Sequence, residues 1–260
     1  MAKKFYYDSM GLNDLTASGA IKAGTFNPST NVFSPSDSAI TDEHVIKDQS
    51  LSKAVTSFDD EDMIRIDFTT SRTASAIARY NNSGSTESND MLVYRSSDPT
   101  DVTSNGGSIS ITLDEMSAGW DVDEFTEVSE RYWFLRSEDG QFSGLSEVIL
   151  GVPLTFENEP DIGIATQEIF ATDLNTSLGG VEYANKRHEP KTTFQLNFSN
   201  ISQTFKNNLA SFEQDVTNFK KFVYYDDSSY HYVRLDSPIK FTEVAFERFS
   251  ASLKLREQLS

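Results

Sequence analysis

The stretch RYWFLRSEDGQFSGLSEVILG, residues 131–151, decides the fold of the first part of this chain. An aromatic and aliphatic run leads to Asp139-Gly140, and a second apolar run, 145–150, follows. Apolar runs on both sides of Asp-Gly are typical of a β-hairpin, and Gly144 would permit a bulge in the second strand. The stretch therefore predicts two antiparallel strands that pair with each other.

Outward from this stretch, short strands alternate with polar loops between about residues 31 and 151. MIRIDF (63–68) and SISITL (108–113) place alternate apolar side chains on one face, and MLVYRSS (91–97) is rich in strand formers. Strands at this spacing favour a β-sandwich or jelly roll. Residues 1–30 carry weaker apolar signals interrupted by glycine, so we expect an irregular, extended N-terminal arm.

The quoted stretch resembles the closing strands of discoidin-like domains, which are galactose-binding-like jelly rolls ending in "RYxRL" and "LSEIxLxG" segments. DEDMIRIDFTTSRTASAIARYN (60–81) and MLVYRSSDPTDV (91–102) extend the similarity. The resemblance implies a discoidin-like β-sandwich at 31–152. One function that it implies is a carbohydrate-binding adhesin module for recognition of a host surface.

The second half has a different pattern. Gly151-Val152-Pro153 and ENEPD (157–161) predict a linker at 153–161, followed by an α+β domain at 162–260. TFQLNF (193–198) predicts a half-buried strand, KKFVYY and YHYVRL (220–225 and 230–235) a hairpin, and FSASLKLRE (249–257) a last strand. We expect a helix over 201–219, with Asn200 as its N-cap and Gln203 completing a capping box. Its apolar stripe consists of Ile201, Phe205, Leu209, Phe212, Val216 and Phe219.

This order of elements resembles small tail-tip proteins of tailed phages, the distal tail and minor tail proteins. The similarity is carried by LGG (178–180), TTFQLNFSNIS (192–202) and the hairpin and terminal strand just described. It implies a structural protein of the virion tail, in a ring or in the tip or baseplate, that displays or docks the jelly roll. The implied partners are further copies in a three- or six-fold ring and the neighbouring tail tube and tip proteins. The whole chain is thus predicted to be mainly β, a jelly-roll sandwich plus an α+β domain with one main helix on an antiparallel sheet.

Charge and cysteine content narrow the possible functions. The formal net charge is −18, with 40 Asp and Glu against 22 Lys and Arg, which disfavours nucleic-acid binding. The absence of cysteine argues against disulfides, iron-sulfur clusters and a cysteine nucleophile. The start, MAKKFYYDSMG, does not resemble a signal peptide, and the longest near-apolar stretch, 148–154, is too short to span a bilayer. We expect synthesis in the host cytoplasm, no membrane insertion and a final location in the virion tail.

Enzyme signatures are missing. His44, His188 and His231 form no HExxH motif, and there is no nucleophile elbow, P-loop or GxGxxG. We therefore expect no enzyme activity, no catalytic residue, no cofactor and no assigned metal site. The acidic run 59–62 is interpreted as a solvated loop before a strand. The run 121–124 resembles a fragment of a calcium loop but lacks its Gly and its final Glu.

Three further residue sets remain open. The jelly-roll resemblance places Asp48 and Glu147 where many bacterial members hold a structural calcium ion, although Glu147 could instead cap or pair locally. Trp120, predicted in a loop, could stack on a sugar or pack against protein, whereas Trp133 is predicted in the core. Five cations of the less acidic second domain are expected to contact carboxylates of neighbouring subunits in a ring: Lys220, Lys221, Arg234, Lys254 and Arg256.

Overall fold

A computed structural model describes residues 3–36, 40, 42–55, 62–83, 91–102, 111–113, 117–137, 144–161, 165–169, 172–176, 182–186 and 189–258. The chain is mainly β, as predicted. The strands are β1 (Lys4–Tyr6), β2 (Ile21–Asn27), β3 (Val32–Pro35), β4 (Asp62–Asn81), β5 (Met91–Ser96), β6 (Ile111–Leu113), β7 (Gly119–Ser137), β8 (Leu145–Gly151), β9 (Leu154–Thr155), β10 (Ala165–Ile169), β11 (Thr172–Thr176), β12 (Glu182–Lys186), β13 (Lys191–Ser202), β14 (Phe222–Tyr225), β15 (Tyr230–Leu235), β16 (Lys240–Ala245) and β17 (Arg248–Glu257). The helices are a 3-10 helix at Glu43–Lys47 and α1 at Gln203–Val216.

The chain divides into two compact units. Residues 6–153 form one, called here the sandwich unit; residues 1–5 and 154–259 form the other, the α+β unit. The chain therefore begins in the α+β unit, builds the sandwich unit, and returns at Leu154. Residues 1–30 differ from the predicted irregular arm, because they contribute β1 and β2. The segment predicted as a linker, 153–161, contains β9 and the buried Phe156.

The sandwich unit has one antiparallel sheet bent into two layers. Its strand order is β3-β2-β4-β7-β5-β6, with β8 also paired to β4. The long strands β4 and β7 pair along most of their length, and their register shifts between Asp67 and Arg72. The first layer contains β2, β3, β5, β6 and the paired segments 62–68 and 131–137. The second layer contains β8 and the paired segments 72–81 and 119–130.

One hydrophobic core joins these layers. Ile64, Ile66 and Phe68 all enter it, which confirms the face predicted for 63–68. Trp133 is completely buried there, as predicted. Leu113 of β6 also enters the core, whereas residues 103–110 lie outside the described part of the chain. Because Val148 and Leu150 of the second layer reach the same core, the inner faces of both layers are buried against each other.

The predicted hairpin of 131–151 is wrong in its pairing. β7 pairs with β4 and β5, and β8 pairs with β4, so β4 lies between β8 and β7 in the second layer. Both runs form strands, as predicted. The segment that connects them contains Asp139-Gly140, which lies outside the described residues, and the two strands that it connects do not pair with each other. Gly144 has φ of 103°, and the β4–β8 register shifts between Tyr80 and Asn81.

A side chain at Gly151 would collide with Ser9 and the carbonyl of Tyr7.

The α+β unit has an antiparallel sheet with the order β10-β13-β17-β15-β14-β1-β9, to which β16 adds beside β17. The predicted hairpin of β14 and β15 is confirmed. The alternation predicted for β13 and β17 is also confirmed, since their apolar side chains are buried. The helix α1 packs on β13, β17 and β9. β11 and β12 form a separate two-stranded sheet, and residues 177–181, with the predicted LGG turn, lie outside the described chain.

The helix begins later than predicted. Its N-cap is Ser202, whose Oγ accepts a hydrogen bond from the amide of Phe205 at 3.1 Å, whereas Asn200 has φ of 58° and lies within the strand β13. Most of the apolar stripe is buried, but Phe219 is 70% exposed. The helix ends at Val216, so Phe219 lies beyond the last turn and no longer follows the helical face.

Candidate functional site

Trp120 and Tyr80 form an aromatic pair at one end of the second layer. They are directly opposite each other on β7 and β4, and their ring centroids are 5.3 Å apart with an interplanar angle of 59°. Both side chains are partly exposed. Trp120 therefore lies in a strand, immediately after Gly119, and not in the predicted loop. Ile77 and Arg79 of β4 are buried on the inner face of the layer. Because successive side chains of a strand point to opposite faces, Tyr80 and its partner Trp120 lie on the outer face.

Polar groups surround this end of β4. Asn82 donates its amide N–H to the carbonyl of Gly144 at 2.9 Å, and Ser83 donates its own to Oδ1 of Asn81 at 2.9 Å. Asn82 is partly exposed and Ser83 is exposed. Tyr80 pairs with Trp120 of β7 on one side of β4 and with Glu147 of β8 on the other side. Glu147 is fully buried. The end of the layer thus offers an aromatic surface beside amide and hydroxyl groups.

The chain's own N-terminal segment covers part of this outer face. Tyr6 and Tyr7 lie against Ala76, Ala78 and Ile149, and the remaining space is too small for a water molecule. The Tyr6 hydroxyl donates to Oε1 of Glu124 at 2.7 Å. This part of the outer face is therefore covered, whereas Trp120 and Tyr80 remain partly exposed.

The outer face of the first layer carries a second cluster, in which arginines cover aromatic rings. The Arg65 guanidinium is 5.4 Å from the Phe33 ring centroid, and that of Arg136 is 4.8 Å from Phe26. Arg136 also lies 3.4 Å from the Tyr94 hydroxyl. Such contacts stabilise by about 0.5–2 kcal/mol each and hold the guanidinium flat on the ring. The buried aromatic side chains beneath belong to a small second core, which leaves little of their faces for a ligand.

Asp67 and Arg131 form a bidentate ion pair beside this cluster. The Arg131 Nε and Nη2 atoms are 2.8 and 3.0 Å from the two Asp67 carboxylate oxygens. Partial burial alone would raise the pKa of Asp67, but hydrogen bonds from Arg131 and from the amide of Thr69 outweigh it and hold that pKa below its usual value. The ion pair joins β4 to β7 where their register shifts.

The proposed calcium positions lie on neighbouring elements. Asp48 follows the 3-10 helix, which packs on β8, the strand of Glu147. Asp48 Oδ1 accepts the amide of Ser50 at 2.8 Å, a local turn contact. Among the residues that the structure describes, no group of three or more His, Asp or Glu side chains could hold a metal ion.

The loop predicted at 59–62 falls mostly outside the described residues, whereas the run 121–124 is described in full. Of 59–62, only Asp62 is described, and it is a buried first residue of β4. Residues 121–124 lie within β7 and not in a loop. Asp123 accepts a hydrogen bond from the buried Arg79 at 2.7 Å, a charge pair that the local sequence pattern did not predict. The run is thus part of a sheet, with one carboxylate that compensates a buried guanidinium.

Of the three histidines, the structure describes His44 and His231. His44 is 60% exposed, and His188 lies outside the described residues. His231 is in β15, as predicted, with Nε2 3.1 Å from Oδ2 of Asp226. Burial would raise the pKa of Asp226, but hydrogen bonds from Ser228, Ser229 and His231 outweigh it and lower that pKa to about 2.

The structure separates the five predicted interface cations. Arg234, Lys254 and Arg256 lie on adjacent strands of the α+β unit, on the sheet face that alternates with the buried side chains. Lys221 instead lies over the Tyr232 ring at 5.4 Å. The backbone amide of Lys220 bonds to the carbonyl of Val216. Lys191 of β13, which was not among the five predicted cations, lies near Arg234 and Arg256.

No described helix is long and apolar enough to cross a membrane.

No protein-family model and no curated protein matches the sequence. The solved structures that are similar to part of it include three carbohydrate-binding modules. A chitosan-binding module from Paenibacillus sp. IK-5 is 12% identical, covering 56% of this chain and 98% of that one, with a TM-score of 0.35. The Clostridium perfringens module CpGH89CBM32-5, in complex with GalNAc-β-1,3-galactose, is 12% identical over 51% and 96%, with a TM-score of 0.36. A Streptococcus pneumoniae fucose-binding module is 12% identical over 50% and 89%, with a TM-score of 0.35. At these low scores, the architecture rests on the strand pairing described above.

Proposed function

We propose that the sandwich unit binds carbohydrate, and that Trp120 and Tyr80 form the surface on which a sugar ring stacks. The observation that carries the proposal is the partly exposed aromatic pair on the outer face of the second layer. A tryptophan beside a tyrosine presents a broad apolar surface with little conformational entropy to lose. The carbon-bound hydrogens of a pyranose ring suit such a surface.

The polar groups near the pair suit the hydroxyls of a sugar. Asn82 and Ser83 can donate and accept hydrogen bonds, and both have exposed area. Asp121 follows Trp120 directly, and the chain carries a net charge of −18. Anionic glycans would be repelled at such a site. The ligand is therefore a neutral sugar.

Tryptophan fluorescence offers a direct test, because the chain has two tryptophans and Trp133 is fully buried. Titration with GalNAc-β-1,3-galactose and fucose should change the emission of Trp120 and leave that of Trp133 unchanged. Trp120→Phe should remove the spectral response but keep weakened binding in calorimetry. Trp120→Ala should reduce affinity by roughly tenfold or more, as expected for loss of about 1–3 kcal/mol.

Tyr94→Ala provides the matched control, since Tyr94 is a partly buried aromatic residue on the outer face of the other layer. It should bind sugars as the unchanged protein does. Binding that persists in Trp120→Ala and is lost in Tyr94→Ala would move the site to the arginine-covered face. A glycan array without any neutral sugar bound would reject the proposal.

A second candidate is an assembled structural role in a phage tail, in a ring or in the tip or baseplate, with the sandwich unit displayed. What favours it is exposed apolar surface on the α+β unit. Phe246 is 86% exposed in the turn between β16 and β17, and Val244 beside it is 57% exposed. Large exposed apolar side chains close together mark contact surfaces.

Sedimentation of the purified chain distinguishes this role. If Phe246 is a contact residue, the protein should associate with rising concentration, and Phe246→Ser should shift the equilibrium toward monomers. The same substitution should leave sugar binding unchanged. A location in a virion tail would be tested by detecting the chain at fixed stoichiometry in purified particles.

A further inference from the structure

A small pocket opens on the outer face of the α+β unit. It has a volume of about 110 Å³ and is lined by Ile169, Lys191, Arg234, Arg256 and Gln258. One water molecule needs only about 10–15 Å³ of such space, so a multi-atom ligand fits. Three of the five lining side chains are cationic, in a chain that carries nearly twice as many acidic as basic residues.

The arrangement concentrates positive charge. Arg234 and Arg256 are directly opposite each other on β15 and β17, a pairing of like charges that destabilises a sheet. Asp236 is the compensating carboxylate, with distances of 2.9 Å to Arg256 and 3.4 Å to Lys254. Among the described residues, no carboxylate lies within 4.0 Å of the charged groups of Lys191 or Arg234. One carboxylate therefore offsets a group of four cations.

The donors in the pocket are not all used. Arg234 donates to the carbonyls of Asn218 and Leu235, at 3.0 and 3.4 Å. The buried Nε of Arg256 has no acceptor among the described parts of the chain. A buried donor without an acceptor destabilises the fold. An anion in the pocket would supply both the missing acceptor and the missing charge.

We propose that this pocket binds a carboxylate group, a function of the α+β unit separate from sugar binding by the sandwich unit. Arginine and lysine donors are those that recognise carboxylates most strongly. Ile169 supplies one apolar wall, which suits the aliphatic carbon attached to a carboxylate better than the fully polar surface of phosphate. The carboxylate belongs either to a small acid or to an Asp or Glu side chain of a second copy of this chain.

Ligand-dependent stability tests the pocket in the full chain. The far-UV signal of α1 reports the α+β unit, and tryptophan fluorescence reports the sandwich unit, because both tryptophans lie there. Acetate, titrated against chloride at constant ionic strength, should raise the unfolding midpoint of the α1 signal in proportion to the logarithm of its concentration. The fluorescence midpoint should not move. Inorganic phosphate, as the comparison ion, should act more weakly.

Two substitutions and a control define the site. Lys191→Gln and Arg256→Gln should each weaken the acetate response by about tenfold, as loss of a charged hydrogen bond predicts. Lys240→Gln, which removes an exposed cation of β16 outside the pocket, should leave it unchanged. Should Arg256→Gln fail to fold, the Arg256 Nε resonance of the unchanged protein provides the second measurement. It should shift on adding acetate and not on adding chloride.

The source of the carboxylate follows from sedimentation with and without acetate. Self-association that acetate or Lys191→Gln suppresses assigns the carboxylate to a second copy, whereas monomers that bind acetate assign it to a small acid. Equal effects of acetate and chloride on the α1 midpoint would overturn the proposal, as would an unchanged acetate response in both pocket variants. Loss of sugar binding in Trp120→Ala with the acetate response intact would keep the two proposals separate.

Discussion

Phe5 stacks on Phe212 of α1, with ring centroids 4.9 Å apart and an interplanar angle of 22°. The same ring contacts Phe222 at 5.1 Å and Phe156 at 4.8 Å. Phe5 is fully buried, so a residue near the N-terminus is a central part of a core built otherwise from residues after 154. The α+β unit is therefore discontinuous in sequence, and the sandwich unit is inserted between its first strand and the remainder.

Phe5→Ala should destabilise the α+β unit strongly. Removal of a fully buried phenylalanine leaves a cavity and costs about 3–5 kcal/mol. Phe219→Ala removes the same group from a side chain that is 70% exposed, and should change the free energy of unfolding by less than about 0.5 kcal/mol. Denaturation followed by far-UV circular dichroism measures both. Similar small losses would show that Phe5 is not part of this core.

Deletion of residues 1–5 should affect the two units differently. It removes the strand between β14 and β9, and leaves apolar edges on both. We expect the α+β unit to lose its cooperative unfolding transition, while tryptophan fluorescence of the sandwich unit stays native. Limited proteolysis should likewise spare 154–156, because these residues pair with β1 or are buried. Rapid cleavage there in the unchanged chain would argue for a flexible linker instead.

Phe212→Ala should cost about 3–5 kcal/mol, because the side chain is fully buried between the helix and the sheet. Asn208→Ala changes an exposed position of the same helix and should cost far less. Hydrogen exchange of the α1 amides would measure the two effects locally. Equal effects would contradict the packing of the apolar stripe.

Local sequence patterns predicted the individual strands better than they predicted which strands pair with each other. Alternation in 63–68, 193–198 and 249–257 was sufficient to identify strands and their buried faces, because a period of two fixes which side chains share a face. The Asp-Gly signal of 139–140 could not reveal that β4 separates β7 from β8. Strand order depends on contacts between segments far apart in sequence, and a local turn signal does not contain it.

The N-terminal segment and the basic pocket were missed for the same reason. The aromatic run FYY (5–7) is too short to predict a strand alone, and the partners of β1, which are β9 and β14, follow the whole sandwich unit. Lys191 and Arg256 meet only because β13 pairs with β17. Trp120 was identified as a candidate from residue type, but its partner Tyr80 required the register of β4 and β7.

Acid should weaken the α+β unit through Asp226. The pKa of Asp226 falls from 3.8 to about 2 in the folded protein, so the folded state favours the ionised carboxylate. A lowered carboxyl pKa contributes stability that is complete above the unfolded value and is lost as the pH falls from about 4 to about 2. After a discount for solvent screening of this partly exposed carboxylate, the shift corresponds to about 2 kcal/mol, and the hydrogen bonds from Ser228, Ser229 and His231 are its source.

Asp226→Asn tests this contribution, because the amide keeps the shape of the side chain and removes its charge. Above pH 5 the unchanged protein should be more stable than the variant by about 2 kcal/mol, and the difference should disappear near pH 2. Glu243→Gln, which neutralises an exposed carboxylate of β16, should show little difference at any pH. Urea denaturation at intervals between pH 2 and pH 7, followed at the α1 signal, measures all three proteins. A difference between Asp226→Asn and the unchanged protein that stayed constant down to pH 2 would show that the charge of Asp226 is not its source.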